Sequence, residues 1–140
     1  MLANALSDRH PDHGKGAKLI ADAAFIAGLS KVKTRDNDGL LHERWRPRAI
    51  YHMIQDYTLK PDFVVDISPY IDKKMELILT FRSQFYDPDS SELDSPISGK
   101  DFLDFIRARA RTFGRPAGFE FAEGFNVQRT IGVKDLFDLC

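Results

Sequence analysis

The sequence predicts an α/β domain. Three observations carry this: β-branched and aromatic runs at 48–55 and 62–68, helical spacing of apolar residues on either side of them, and turn residues in between. With 140 residues and 43% hydrophobic content, the chain is sized for one domain with a packed core, which argues against intrinsic disorder.

The elements are expected in this order. Met1 to Ala5 reads as the last residues of a buried strand, and Ser7 to His13 as a polar loop. A domain rarely opens on a strand end, whose backbone groups would go unpaired, so this start suggests further sequence upstream. From Gly14 to Leu29, Ala17, Leu19, Ile20, Ala23, Ala24 and Ala27 recur at three- and four-residue spacing. This predicts a helix with Asp12 or His13 as N-cap and Gly28 at its end. Residues 33–46 are polar and turn-rich, a loop with a short hairpin around Asp38-Gly39. Arg48–Gln55 and Asp62–Ser68 read as strands, punctuated by Lys60-Pro61. Helical spacing resumes over Pro69–Phe85, through Tyr70, Met75, Leu77, Ile78, Phe81 and Phe85. Residues 86–99 form a long polar loop, and Asp101–Phe113 is another amphipathic helix. The tail from Gly118 to Leu139 mixes aromatics with glycines and closes on a short apolar turn at 136–139.

Charge and composition narrow the partners. Twenty Lys and Arg oppose 21 Asp and Glu, a net charge of −1, so nothing favours nucleic acid or an anionic membrane. No apolar run approaches the roughly 18 residues of a membrane span. The first 13 residues lack the basic region of a signal peptide. The single cysteine, Cys140, excludes an intrachain disulfide. A soluble cytoplasmic domain is the expectation.

The densest chemistry lies in Asp8-Arg9-His10-Pro11-Asp12-His13. Two imidazoles three residues apart, with carboxylates flanking the first, follow a strand end and precede a helix. Ligands of open α/β sheets bind outside the carboxyl ends of strands, so the placement suits a site. One histidine can hold Zn²⁺ while the other moves a proton or stabilises an oxyanion; equally, the pair can be solvated, helix-capping residues. A catalytic zinc normally takes three protein ligands, and no second cluster obviously completes the set. His42 and His52 are isolated, His52 reading as a packed strand residue. Arg46, in Trp45-Arg46-Pro47, suits either a two-pronged carboxylate contact or a surface salt bridge. Arg107, Arg109 and Arg111 suit a phosphate or, more simply, a solvated helix face. Glu123, between Phe121 and Phe125, is either a tuned carboxylate or a turn residue beside Gly124.

Asp8 to His13, with the helical stretch to Leu29, resembles the second signature block of the PIG-L/LmbE-type zinc-dependent N-acetylglucosamine deacetylases. The resemblance continues in order through Trp45-Arg46-Pro47, Tyr51, Lys60 to Ile67, Ser83-Gln84-Phe85 and Phe121 to Phe125, covering essentially the whole chain. Within that family the chain is most similar to the bacillithiol-biosynthesis branch, which deacetylates N-acetylglucosaminyl-malate. The resemblance implies a Rossmann-like (LmbE-like) α/β sandwich, of which this chain would be the carboxyl-terminal part. The family's first block, Ala-His-Pro-Asp-Asp, supplies a histidine and an aspartate to zinc and the general base, and it is not in this sequence.

By the same resemblance, His13 matches a zinc ligand. His10 matches the histidine that stabilises the tetrahedral oxyanion and protonates the leaving amine, and Asp12 the carboxylate that orients it. Arg9 belongs to the motif and would shape the pocket; Arg46 matches a substrate-proximal position and would contact a malate carboxylate. The implied chemistry is metal-assisted amide hydrolysis of a small GlcNAc conjugate. The full-length relatives are expected to form homo-oligomers.

Overall fold

The computed structural model describes residues 1–139, so Cys140 and the expectation attached to it lie outside the described residues. The elements run β1 (Leu2–Ala3), α1 (Pro11–Ala27), β2 (Tyr51–Met53), β3 (Phe63–Asp66), α2 (Ile71–Leu79), α3 (Lys100–Gly114) and β4 (Ala122–Val127). Short 3-10 turns occupy Ser68–Tyr70, Arg115–Ala117 and Leu136–Leu139. The chain divides into two compact units, Met1–Asp62 with the residues from Phe125 onward, and Phe63–Gly124.

In the first unit β1 pairs parallel to β2, with Leu2 opposite Tyr51 and Ala3 opposite His52. A parallel pair needs a long crossover, and α1 with the loop after it supplies it. The other edge of β2 runs antiparallel to the end of β4, with Tyr51 opposite Val127 and Met53 opposite Phe125. Ala17 and Ala24, seven residues apart on one face of α1, are buried together with Ala3, Ala5, Ile54 and Phe125. Small side chains at these helix positions let backbone approach closely. His52 is buried completely (0% exposed); its Nδ1 bonds Asn4 O at 2.8 Å, beyond the end of β1. Next to it, the Gln55 side chain accepts from Ala5 N–H at 2.9 Å, so side chains continue where the ladder stops.

In the second unit β3 is hydrogen-bonded beside β4. Ile67 N–H donates to Phe121 O, and the Asp66 carboxylate accepts from Ser68 N–H at 2.8 Å, turning the chain out of the strand. Ile71 of α2, Ala110 of α3 and Phe121 form the core, with Ile67 packed on it. Arg107 of α3 pairs with Asp72 of α2 at 2.8 Å. A Cβ at Gly114 would sit 2.7 Å from Phe119 O, so only glycine lets the chain fold back there.

Several boundaries differ from expectation. α1 starts at Pro11 rather than Gly14, because proline needs no N–H partner at the first helical position and His10, not Asp12 or His13, caps it. Asp12 and His13 are therefore in the helix's first turn and not in a loop. Both expected strands are shorter, three and four residues. The helix expected over 69–85 ends at Leu79: Thr80 Oγ1 donates to Leu77 O, and residues 81–85 continue as turns that mimic helical spacing. The tail holds a strand, β4, that its aromatic and glycine content concealed. The hairpin around Asp38-Gly39 is present as a single Arg35–Leu41 bridge, with Gly39 at φ +82°.

Replacing His52 by Ala should cost about 2–4 kcal/mol, from the void and from the unpaired Asn4 carbonyl. His52→Gln, which keeps a donor, should recover part of it. Urea unfolding of the three proteins measures both.

Candidate functional site

After β1 the chain passes through residues 4–7 to Asp8, whose side chain is fully shielded from solvent. Its Oδ1 accepts from the backbone N–H groups of Asp56 and Tyr57, both at 2.9 Å, just past the carboxyl end of β2. Its Oδ2 is bonded to His13 Nδ1. Burial pushes the Asp8 carboxyl up. The His13 bond and the backbone N–H groups of Tyr57, Asp56 and Arg9 outweigh that effect, so the group lies below the ordinary carboxylate value. An ionised Asp8 assigns the proton to His13 Nδ1 and leaves Nε2 with the free lone pair.

His10 sits beside it as the N-cap of α1. Its Nδ1 accepts from Asp12 N–H at 3.3 Å, which in the neutral ring leaves the proton on Nε2. The two imidazole centroids are 5.4 Å apart and the rings tilt by 38°. One ring thus offers an N–H and the other a lone pair, side by side at a helix start. The Asp12 carboxylate is 3.9 Å from His10 Nδ1, an ion-pair separation too long for a hydrogen bond, and lies 3.4 Å from Lys15 Nζ. Arg9 donates through Nε to the Asp56 carboxylate at 2.5 Å, holding its guanidinium over the segment that also binds Asp8.

Arg9, His10, Asp12 and His13 are therefore brought together, and Arg46 is not among them. Its guanidinium donates to Phe25 O at 3.0 Å and lies 4.9 Å over the Phe25 ring, near the last turn of α1. That helix has 17 residues, about 25 Å at 1.5 Å per residue, and the histidines are at its other end. Arg107 and Arg111 form ion pairs with Asp72 and Glu120, as a solvated helix face would. Glu123 lies in β4 rather than a turn and pairs with Lys74. His42 bonds Thr34 Oγ1 at 3.2 Å.

Two participants escape a reading of the sequence. Asp8 is visible there only as a carboxylate near His10, and its bond is to His13 instead. Asp56 has no local signal at all, since its partner is 47 residues away. Among the described residues, no group of three His, Cys, Asp or Glu is placed to hold a metal ion.

No family model matches the chain. It is 32% identical over 115 residues to the diacetylchitobiose deacetylase of Thermococcus kodakarensis, a match covering 82% of this chain and 38% of that protein. Its structure superposes on a conserved protein of Thermus thermophilus, TT1542, with a TM-score of 0.75 and 28% identity, over 95% of this chain and 53% of that one. It also superposes on the N,N'-diacetylchitobiose deacetylase of Pyrococcus horikoshii, solved with an inhibitor, with a TM-score of 0.63 and 24% identity, over 91% and 44%. The chain is thus homologous to diacetylchitobiose deacetylase, has the LmbE-like α/β fold of these neighbours, and spans 38% of the length of that relative.

The lowered Asp8 carboxyl has a definite pH signature. Below its ordinary value of 3.8 the unfolded chain takes up a proton that the folded chain refuses. The contribution to stability is therefore complete above that value and lost as pH falls through the folded one. Asp8→Asn should cost about 2 kcal/mol near neutrality, and the deficit should shrink in acid. Urea midpoints measured across that range test this, and the His13 ring ¹⁵N shifts should show Nδ1–H giving way to mixed tautomers.

Proposed function

We propose that this chain belongs to a hydrolase that removes the acetyl group from an N-acetylglucosamine conjugate. Homology to a diacetylchitobiose deacetylase supports the reaction class. The observation that carries the reading is the His10–His13 pair at the start of α1, with Asp8 buried behind His13. Within this reaction class we favour GlcNAc-malate, as in bacillithiol biosynthesis, from the resemblance of the sequence blocks.

The roles follow from the nitrogens. His13, with Nδ1 bonded to a carboxylate, presents Nε2 as metal-binding histidines do. It fits one ligand position of the expected zinc, and the other ligands are not supplied by the described residues. When bound in an assembled site, such an ion lowers the pKa of water and polarises the acetyl carbonyl. His10 carries its neutral-state proton on Nε2, so it can donate to the oxyanion that forms as the amide carbon becomes tetrahedral. Fully protonated, it can pass a proton to the departing glucosamine nitrogen. Asp12, 3.9 Å from His10 Nδ1, can orient the ring by charge rather than by a hydrogen bond. Arg9 is held by Asp56 and walls the site.

The test places the amino-terminal portion of the Thermococcus relative ahead of this chain. Acetate release is then followed from GlcNAc-malate and from N,N'-diacetylchitobiose, with zinc present. We expect the 140-residue chain alone to bind zinc weakly and release no acetate, and the chimera to release it. His13→Ala should abolish the chimera's activity, and His10→Ala should lower kcat by about 100- to 10,000-fold. A well-folded, zinc-loaded chimera that releases acetate from neither compound would overturn the reading.

A further inference from the structure

A separate cavity in the first unit has a volume of about 640 Å³, within the roughly 300–1,000 Å³ of small-molecule pockets. It lies against the second half of α1 and the amino-terminal end of β2, whereas Asp8 and the histidines lie at the start of α1 and past the carboxyl end of β2. Ala24, Phe25 and Val127 give it an apolar wall, and three arginines, Arg46, Arg48 and Arg129, line it. No Asp or Glu does, although the chain carries 21 of them.

None of the three forms an ion pair among the described residues, which is true also of Arg35, Arg44 and Arg115, while four other arginines are neutralised. Arg9, Arg82, Arg107 and Arg111 each have a carboxylate partner. Arg48 and Arg129 have no ion pair or hydrogen bond among the described residues. Arg46 is fixed without any neutralising charge, by Phe25 O and the Phe25 ring. Gly28 makes this possible, since a Cβ there would collide with the Arg46 guanidinium. Three positive groups around one concave surface repel one another, and an oxyanion relieves that repulsion while matching the guanidinium fork.

We propose that this cavity binds a small organic oxyanion, a carboxylate or phosphate carried on an apolar body. The inference uses none of the histidine chemistry and stands apart from the deacetylase reading.

Titrating the ¹⁵N-labelled 140-residue chain with inorganic phosphate, and separately with succinate, tests it; chloride at equal ionic strength is the control. Saturable shifts are expected at the side-chain Nε–H groups of Arg46 and Arg48 and at the backbone of 127–132, with at least one of the two anions. Which anion saturates first identifies the headgroup. Arg48→Gln and Arg129→Gln should each raise Kd by about tenfold or more, while Arg115→Gln, the same charge change outside the cavity, should leave it unaltered. Shifts that fail to saturate, that survive both substitutions, or that centre on His10 and His13 would overturn the proposal.

Discussion

Asp8 carries an ionised carboxylate into a place where water does not reach it, and such a group is tolerated only when every lone pair in use has a donor. Its donors come from two directions. Backbone N–H groups of Asp56 and Tyr57 serve one oxygen and the His13 ring serves the other. Satisfying one buried charge therefore holds the segment after β1, the segment after β2 and the first turn of α1 in one arrangement. The tautomer of His13 is a consequence of that requirement, and so is the direction in which its free nitrogen faces.

α1 then separates two kinds of chemistry. At its start, Pro11 and the His10 cap allow a helix to begin in the middle of a run of polar residues, which places Asp12 and His13 in the first turn. At its end, Gly28 leaves room for a guanidinium to lie over the Phe25 ring and to donate a second hydrogen bond to Phe25 O, which also accepts from Gly28 N–H. Arg46 is thereby ordered by helix geometry, with an aromatic face beneath it, rather than by a carboxylate. The same cation that caps the helix is left electrically uncompensated at the edge of a cavity.

Much of the architecture was legible in the residues. The alanine periodicity gives α1 to within three residues at its start, and Arg107 and Arg111 read correctly as a solvated face because interleaved charges on a helix find partners locally. β4 was not legible: a strand containing Glu123, Gly124 and Asn126 lacks the alternation expected of one, and it exists because β2 and β3 offer it pairing partners. The end of α2 was hidden for the opposite reason. Phe81 and Phe85 keep helical spacing while the Thr80 hydroxyl bonds Leu77 O at the helix's end, and the chain continues as turns.

The sequence by itself determined the α/β class, the existence of the three helices and the motif of two histidines three residues apart, since each depends on periodicity or on neighbours within a few residues. Tertiary structure alone decided which carboxylate each histidine meets. Asp12 adjoins His13 in sequence, yet the carboxylate bonded to His13 is Asp8, fixed by backbone donors 48 and 49 residues further along. It also moved Arg46 from the motif's neighbourhood to the far end of a helix. Local spacing sets which side chains are available; only the closing of long loops sets which of them share a desolvated space, and desolvation is what turns a nearby charge into a partner.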